Sequence, residues 1–250
     1  MTSPQWLNRY LAGRREQVWH ELRQLGGTIR RDSDLAGEAQ LVCDEMARRA
    51  RQNVEVLVER LTADGYRFHA NDDEQTPVTP HAAPTASASA HADWLAERFG
   101  DVPMTIRSWT RLVGDVWLVG SHPQWPGSAS GDPLVIELEG SRYPDHPSIR
   151  DYFGAEWDGW REHSEDAPNA GLFVLPLAPD RLHKENVSGG PPYGVVLPDG
   201  CVDGLFAGET TTPFVCYLNQ VFQRGGFPRW TGSPDEWRIK RALARDLLPL

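Results

Sequence analysis

The interval that decides the fold opens on Gly171-Leu172-Phe173-Val174-Leu175-Pro176-Leu177 and closes on Tyr193-Gly194-Val195-Val196-Leu197-Pro198-Asp199-Gly200. Both apolar runs are short, rich in β-branched or aromatic residues, and bounded by Gly, Pro and Asp, which is how strands read. The same signature recurs upstream in Val116-Trp117-Leu118-Val119, and in Leu134-Val135-Ile136-Glu137-Leu138 between Pro133 and Gly140. A last short run is expected over Val202 to Phe206. These strands do not alternate regularly with helices, so a doubly wound parallel sheet is disfavoured.

Outside the strands the period changes. Asp93 caps a short helix from Trp94 to Phe99, and a second runs from Thr105 to Val113 and stops at Gly114. Near the end, Thr212-Pro213 reads as a cap and first helical turn, with Phe214, Val215, Tyr217, Leu218, Val221 and Phe222 as the apolar face before Gly225-Gly226. A final helix starts at Asp235-Glu236-Trp237. The polar stretch from Ser141 to Asn169 carries Tyr143, Phe153, Trp157 and Trp160 as isolated anchors, with helix expected over Ile149–Phe153. Short helices, then strands, then helices imply an α+β domain over residues 93–250, a largely antiparallel sheet with helices packed on one face.

Two further regions precede it. In residues 1–70, Ser3 and Pro4 mark a helix start, and Trp6, Leu7, Tyr10, Leu11, Val18, Trp19, Leu22 and Leu25 form one stripe ended by Gly26-Gly27. A second helix is expected from near Asp34 to Asp64-Gly65, running through Leu41, Val42, Met46, Ala50, Val54, Leu57, Val58 and Leu61. Together they predict a helical hairpin arm. Residues 71–92 are rich in Pro, Ala, Thr and Ser and read as a flexible linker. The arm's stripe must be buried on the main domain or in a homodimer through these helices.

The balance of 35 acids against 25 bases gives a net charge of -10. That argues against nucleic acid and against an anionic membrane surface, and is compatible with a basic protein partner. No apolar run is long enough to cross a bilayer and no secretory signal is evident, so the cytoplasm is expected. Cys43, Cys201 and Cys216 are too sparse for a disulfide framework and read as reduced thiols. His122, His146 and His163 show no zinc spacing, and no phosphate loop or nucleophile elbow frames Ser128, Ser130 or Ser188. No metal, cofactor or catalytic set is therefore expected.

The candidate site is a partner-binding cleft built from Trp117, Trp125, Asp132, Trp157, Trp160 and His183. Tryptophan anchors interfaces, and Trp125 in a Gly/Pro/Ser loop and Trp157 and Trp160 in a polar segment are poor core candidates by context. Asp132, Glu137, Asp158 and Glu162 would make such a cleft negative. The alternatives are an enzyme working through Asp180, His183 and Glu185, although one His among acids lacks the nucleophile or second carboxylate that hydrolysis needs, and a structural protein that dimerises through its N-terminal arm.

Several segments together resemble the SUKH superfamily. They are Val102-Pro103-Met104-Thr105-Ile106-Arg107-Ser108-Trp109, Val113-Gly114-Asp115-Val116 and Gly131-Asp132-Pro133-Leu134-Val135-Ile136. Later come Ala178-Pro179-Asp180, His183-Lys184, Ser188-Gly189-Gly190-Pro191-Pro192-Tyr193, and Thr212-Pro213-Phe214 through Gly225-Gly226-Phe227-Pro228. The resemblance spans residues 93–230 and leaves the N-terminal arm outside. That superfamily includes Knr-type fungal cell-wall regulators and bacterial toxin-immunity proteins, whose domain usually acts as a binding scaffold. The resemblance implies a non-enzymatic protein-binding module, an immunity or regulatory protein, and carries over no catalytic residue.

Overall fold

A computed structural model describes residues 4–140, 148–166 and 171–250. The chain is α+β, with all strand pairings antiparallel. Its centre is α3, Ser33–Ala63. Asp32 caps it, its carboxylate accepting from the N–H groups of Asp34 and Leu35 at 3.0 and 3.1 Å. Val42, Met46, Ala50, Val54, Leu57 and Leu61 return every three or four residues and are all buried, whereas Leu41 of the expected run is exposed and Val58 half-buried.

The expected first helix is two. Helix α1, Trp6–Leu11, and α2, Arg15–Leu25, are separated by Gly13 at φ +92°. The bend lets Trp6, Tyr10, Trp19 and Leu22 all reach the core that α3 shares. Ser3 lies outside the described residues, and the helix begins at Trp6 rather than Pro4. Nor do these helices form an arm apart from the rest. The C-terminal segment is stitched to α3, with Asn53 donating to Leu248 O at 2.8 Å and accepting from Leu248 N at 2.7 Å. One continuous hydrophobic core runs from Trp6 to Leu250. Trp6, Tyr10, Val18, Trp19 and Leu22 of the stripe that suggested dimerisation are buried inside the chain, while Leu11 is 50% exposed.

The stretch read as linker is built into the body. Strand β2, His81–Ala82, pairs with Asp115 and Val116, and the Ala-rich residues that follow open α4, Ala88–Phe99. Alanine is the best helix former, and nothing in 88–92 breaks a helix. Residues 71–80 form a loop tied to the main body, Asn71 donating to His183 O at 2.8 Å. Helix α5, Met104–Leu112, packs against α3. After it, Gly114 sits at φ +86°, where an added Cβ would lie 2.2 Å from Ala82 O, so only glycine lets β2 come alongside.

The sheet is divided. Strand β1, Arg67–Phe68, pairs with β4, Gly120–Ser121. Strand β2 pairs with β3, Asp115–Trp117, which pairs with β5, Val135–Ile136. The four-stranded sheet runs in chain order through β6, Phe173–Ala178, β7, Tyr193–Leu197, β8, Leu205–Ala207, and β9, Thr211–Pro213. Glu137 N donates to Leu177 O at 2.9 Å and joins the last two sheets.

Helix α6, Ile149–Asp166, extends well beyond the expected Ile149–Phe153; Tyr143 lies outside the described residues. The short α7 is Arg181–Lys184. Thr212 and Pro213 belong to β9, and α8, Phe214–Gln223, starts one residue later than the expected Pro213 turn. Gly226 N bonds Val221 O at 2.9 Å and closes α8. Helix α9 is Glu236–Ala244. Among the described residues no helix is long and apolar enough to cross a membrane.

Candidate binding face

The six residues expected to line one cleft are dispersed. Trp117 is a core residue whose indole donates to His69 O at 2.9 Å. Trp125 is 0% exposed: its Nε1 donates to Thr231 Oγ1 at 2.9 Å and its ring meets Phe227 edge-on at 5.1 Å. Trp157 and Trp160 stack at 5.1 Å on α6 and cover Phe173. Of the four tryptophans, Trp160 borders an open recess, beside Leu172 and Pro192.

Asp132 and His183 have different partners and do different work. Asp132, at φ 59°, accepts from the buried Lys184 ammonium at 2.6 Å. His183 is half-exposed, its Nδ1 2.5 Å from Asp180 Oδ1. Asp180 also caps α7 and accepts from Gly190 N at 2.8 Å. Burial opposes its charge, but the Gly190 and His183 N–H groups hold its carboxyl below the usual range. Glu185 is engaged by Arg181 and by Ser130 Oγ, both at 2.5 Å. The Asp180, His183 and Glu185 set is thus spent on capping and pairing. The acidic lining is not assembled either: Glu137 is buried and Asp158 pairs with Arg98 at 2.6 Å.

Asp132 does border a small recess of about 240 Å³, together with Tyr193, Tyr217, Glu209, Arg224 and Arg229. The Lys184 ammonium stands 5.0 Å from the Tyr193 ring centre. Burial first, and the Asp132 charge second, push both phenols above the ordinary tyrosine range.

Sequence reasoning passed over the feature next to it, which is built by the segment between α8 and α9. Glu236 reaches back to accept from Thr231 N at 2.8 Å and Gly232 N at 2.9 Å, and pairs with Lys240 Nζ at 2.7 Å. Lys240 also donates to Arg229 O. Its ammonium sits between two indoles, 5.1 Å from the Trp125 centroid and 4.6 Å from that of Trp230. Burial draws Lys240 below the ordinary lysine value while Glu236 pulls it back up. Burial works against Glu236 too, yet Lys240 and the Thr231 bonds outweigh it and hold the carboxyl below its usual range.

This anchored loop presents Trp230, 48% exposed, and α9 presents Trp237, 57% exposed. Both border one open cleft of about 460 Å³ with Arg224, Lys240, Arg241 and Arg245. The Arg241 guanidinium lies 5.0 Å over the Trp237 ring. Among the described residues its lining includes no carboxylate side chain. The cleft is cationic and aromatic on a chain whose net charge is -10.

Among the described residues no group of three His, Cys, Asp or Glu side chains is placed to hold a metal ion. His146 lies outside the described residues, and His122 is buried with Nε2 2.9 Å from Asp64 Oδ2. Cys43 is buried, Cys201 half-buried and Cys216 exposed, all as free thiols. Comparison with family models, with curated proteins and with solved structures finds no match for this chain.

Proposed function

We propose that the chain is a non-enzymatic protein-binding module of SUKH-like type, an immunity or regulatory protein that works by occluding its partner. The single observation that carries this reading is the open cleft holding Trp230 and Trp237 among guanidinium groups. Exposed large aromatics cost solvation free energy unless something covers them, and Trp and Arg are the residues that dominate interface energetics. Both rings are held by a buried Glu236–Lys240 pair or by a stacked arginine, so little side-chain entropy is lost when a partner arrives.

The partner that suits this surface is acidic, where composition alone pointed to a basic one. Local positive charge on an acidic chain favours an acidic polypeptide segment, while the global charge of -10 repels nucleic acid.

Affinity capture from the native cell extract tests the reading. The wild-type chain is expected to retain a defined acidic protein, released as salt is raised because exposed cations are screened. Trp230→Ala/Trp237→Ala is expected to lose it, each truncation costing about 2 kcal/mol or more of binding. Leu172→Ala, at an exposed position bordering the Trp160 recess rather than this cleft, is expected to keep it. Equal retention by the double variant, or no retained protein with the wild type, overturns the proposal.

A further inference from the structure

The four-stranded sheet has an outer face that strand alternation predicts to be polar, and it is apolar instead. Where an antiparallel sheet lies with one side on the core, the residues between the buried ones turn to water and are ordinarily hydrophilic. Phe173, Leu175, Val195, Leu197 and Phe206 are the buried set. Between them fall Val174, Val196, Leu205 and Ala207. Register draws these into a row: Val174 lies opposite Val196, Leu205 opposite Pro213, and the Gly194–Ala207 pair brings Val196 beside Leu205. The row crosses all four strands as Val, Val, Leu and Pro. Leu205 is 43% exposed, and Leu172, two residues before Val174, is 71% exposed. Thr211, opposite Ala207 on the edge strand, is polar but uncharged.

A recess of about 460 Å³ adjoins the row between α6 and the sheet, lined by Trp160, Val174, Ala207 and the Pro191–Pro192 step. Glu156 is the charged side chain of its lining among the described residues. The face therefore carries projecting leucines and a recess side by side.

We infer that two copies of the chain meet on this face, sheet against sheet about a two-fold axis. Charge selects a second copy over a foreign protein. The chain carries -10, so copies repel one another across charged surfaces, whereas this row holds no ionisable side chain. An acidic partner of the kind that suits the Trp230/Trp237 cleft meets no cation in the recess. Shape agrees, because a two-fold interface needs each copy to offer both the projection and the hollow that receives it. Pro213 in β9 has no N–H to give, which opposes edge-to-edge pairing and leaves face-to-face packing. Area sets the strength. With strands about 4.8 Å apart and alternate residues about 6.8 Å apart, the exposed rows cover roughly 200 Å² per copy, to which the recess adds. A standard interface takes about 800 Å² from each partner, so the dimer is weak, with a dissociation constant of roughly 10–100 µM.

Sedimentation velocity on the full chain tests this from about 5 to 500 µM, a range that brackets that constant. The wild type is expected to sediment faster as concentration rises, toward a dimer limit. Leu172→Ala is expected to weaken association severalfold. Leu172→Asp/Leu205→Asp is expected to abolish it, since like charges then oppose across the axis. Both positions are exposed, and a circular dichroism melt checks that the variants fold. Mixing Leu172→Asp/Leu205→Asp with Leu172→Lys/Leu205→Lys is expected to restore the dimer, which a misfolded chain could not do. Trp230→Ala/Trp237→Ala is expected to dimerise as wild type does, and Leu172→Asp/Leu205→Asp to retain the acidic protein in affinity capture, so failure on this face leaves the protein-binding proposal standing. A wild type monomeric over the whole range, or a dimer that survives Leu172→Asp/Leu205→Asp, overturns the inference. So does a monomeric wild type whose captured protein is lost with Leu172→Asp/Leu205→Asp, which assigns the face to a foreign protein.

Discussion

An ammonium between two indoles needs an answering charge, and in this chain Glu236 supplies it to Lys240. Both side chains are almost wholly out of solvent, at 1% and 2% exposure. Removing one partner leaves the other charge buried and alone, which costs far more than the pair contributes. Glu236→Gln is therefore expected to lose about 3 kcal/mol in urea unfolding, and Glu236→Gln/Lys240→Met to lose less than the single change. Acid should act in the same direction. The Glu236 carboxyl is held below its ordinary range in the folded chain, so the unfolded chain binds its proton first. Its contribution is present above the ordinary carboxylate value near 4.3 and is lost as pH falls through the depressed one. The Tm of the wild type is expected to fall more steeply below about pH 4 than that of Glu236→Gln. Local context misleads at this scale. Trp125 stands among Pro123, Pro126, Gly127 and Ser128, which reads as surface loop, yet it is buried because Thr231 takes its N–H and Gly131 leaves room for its ring. Both partners are long-range or conformational and leave no mark near Trp125. Trp237 was legible: Ile239 and Leu243 fall on one side of α9, and helical spacing puts Trp237 on the other.

Elements were readable where their period was long. Helix α3 announces itself through seven turns of apolar residues, although its cap is Asp32 and Leu41 of the expected run turns to solvent. Two-residue strands carry no comparable signal. Strand β2 exists because Gly114 lets His81 and Ala82 lie against Asp115 and Val116, and the surrounding Pro, Ala and Ser resemble a linker by composition. The break between α1 and α2 rests on one glycine inside an otherwise unbroken stripe. What α3 holds in place is also not local. Asn53, 1% exposed, bonds both the N–H and the carbonyl of Leu248. Asn53→Ala is expected to cost about 2 kcal/mol, since two buried main-chain groups lose their partner at once. Amide hydrogen exchange should show the loss first at Leu248 and Leu250, before the core of α3 opens.

At the scale of the molecule, residues 1–92 are not an attachment to a self-sufficient domain. Val42, Met46, Val54, Leu57 and Leu61 of α3 are all buried in the core they share with Trp109, Leu118 and Phe222. At about 2 kcal/mol for each buried side chain, these five alone are worth about 10 kcal/mol, the order of a whole domain's net stability. Removing them would also strip β2 from β3 and leave Arg60's acceptors, the carbonyls of Leu243 and Arg245, without a donor beside the Trp237 cleft. A chain beginning at Asp93, the boundary that composition suggests, is therefore expected to lack a cooperative thermal transition and the near-ultraviolet circular dichroism of fixed tryptophans. Supplying residues 1–92 as a separate chain is expected to restore both, because the missing surface is apolar and preformed on a helix. A sharp melt of the shortened chain alone, near the wild-type Tm, would show that α3 is dispensable to the core.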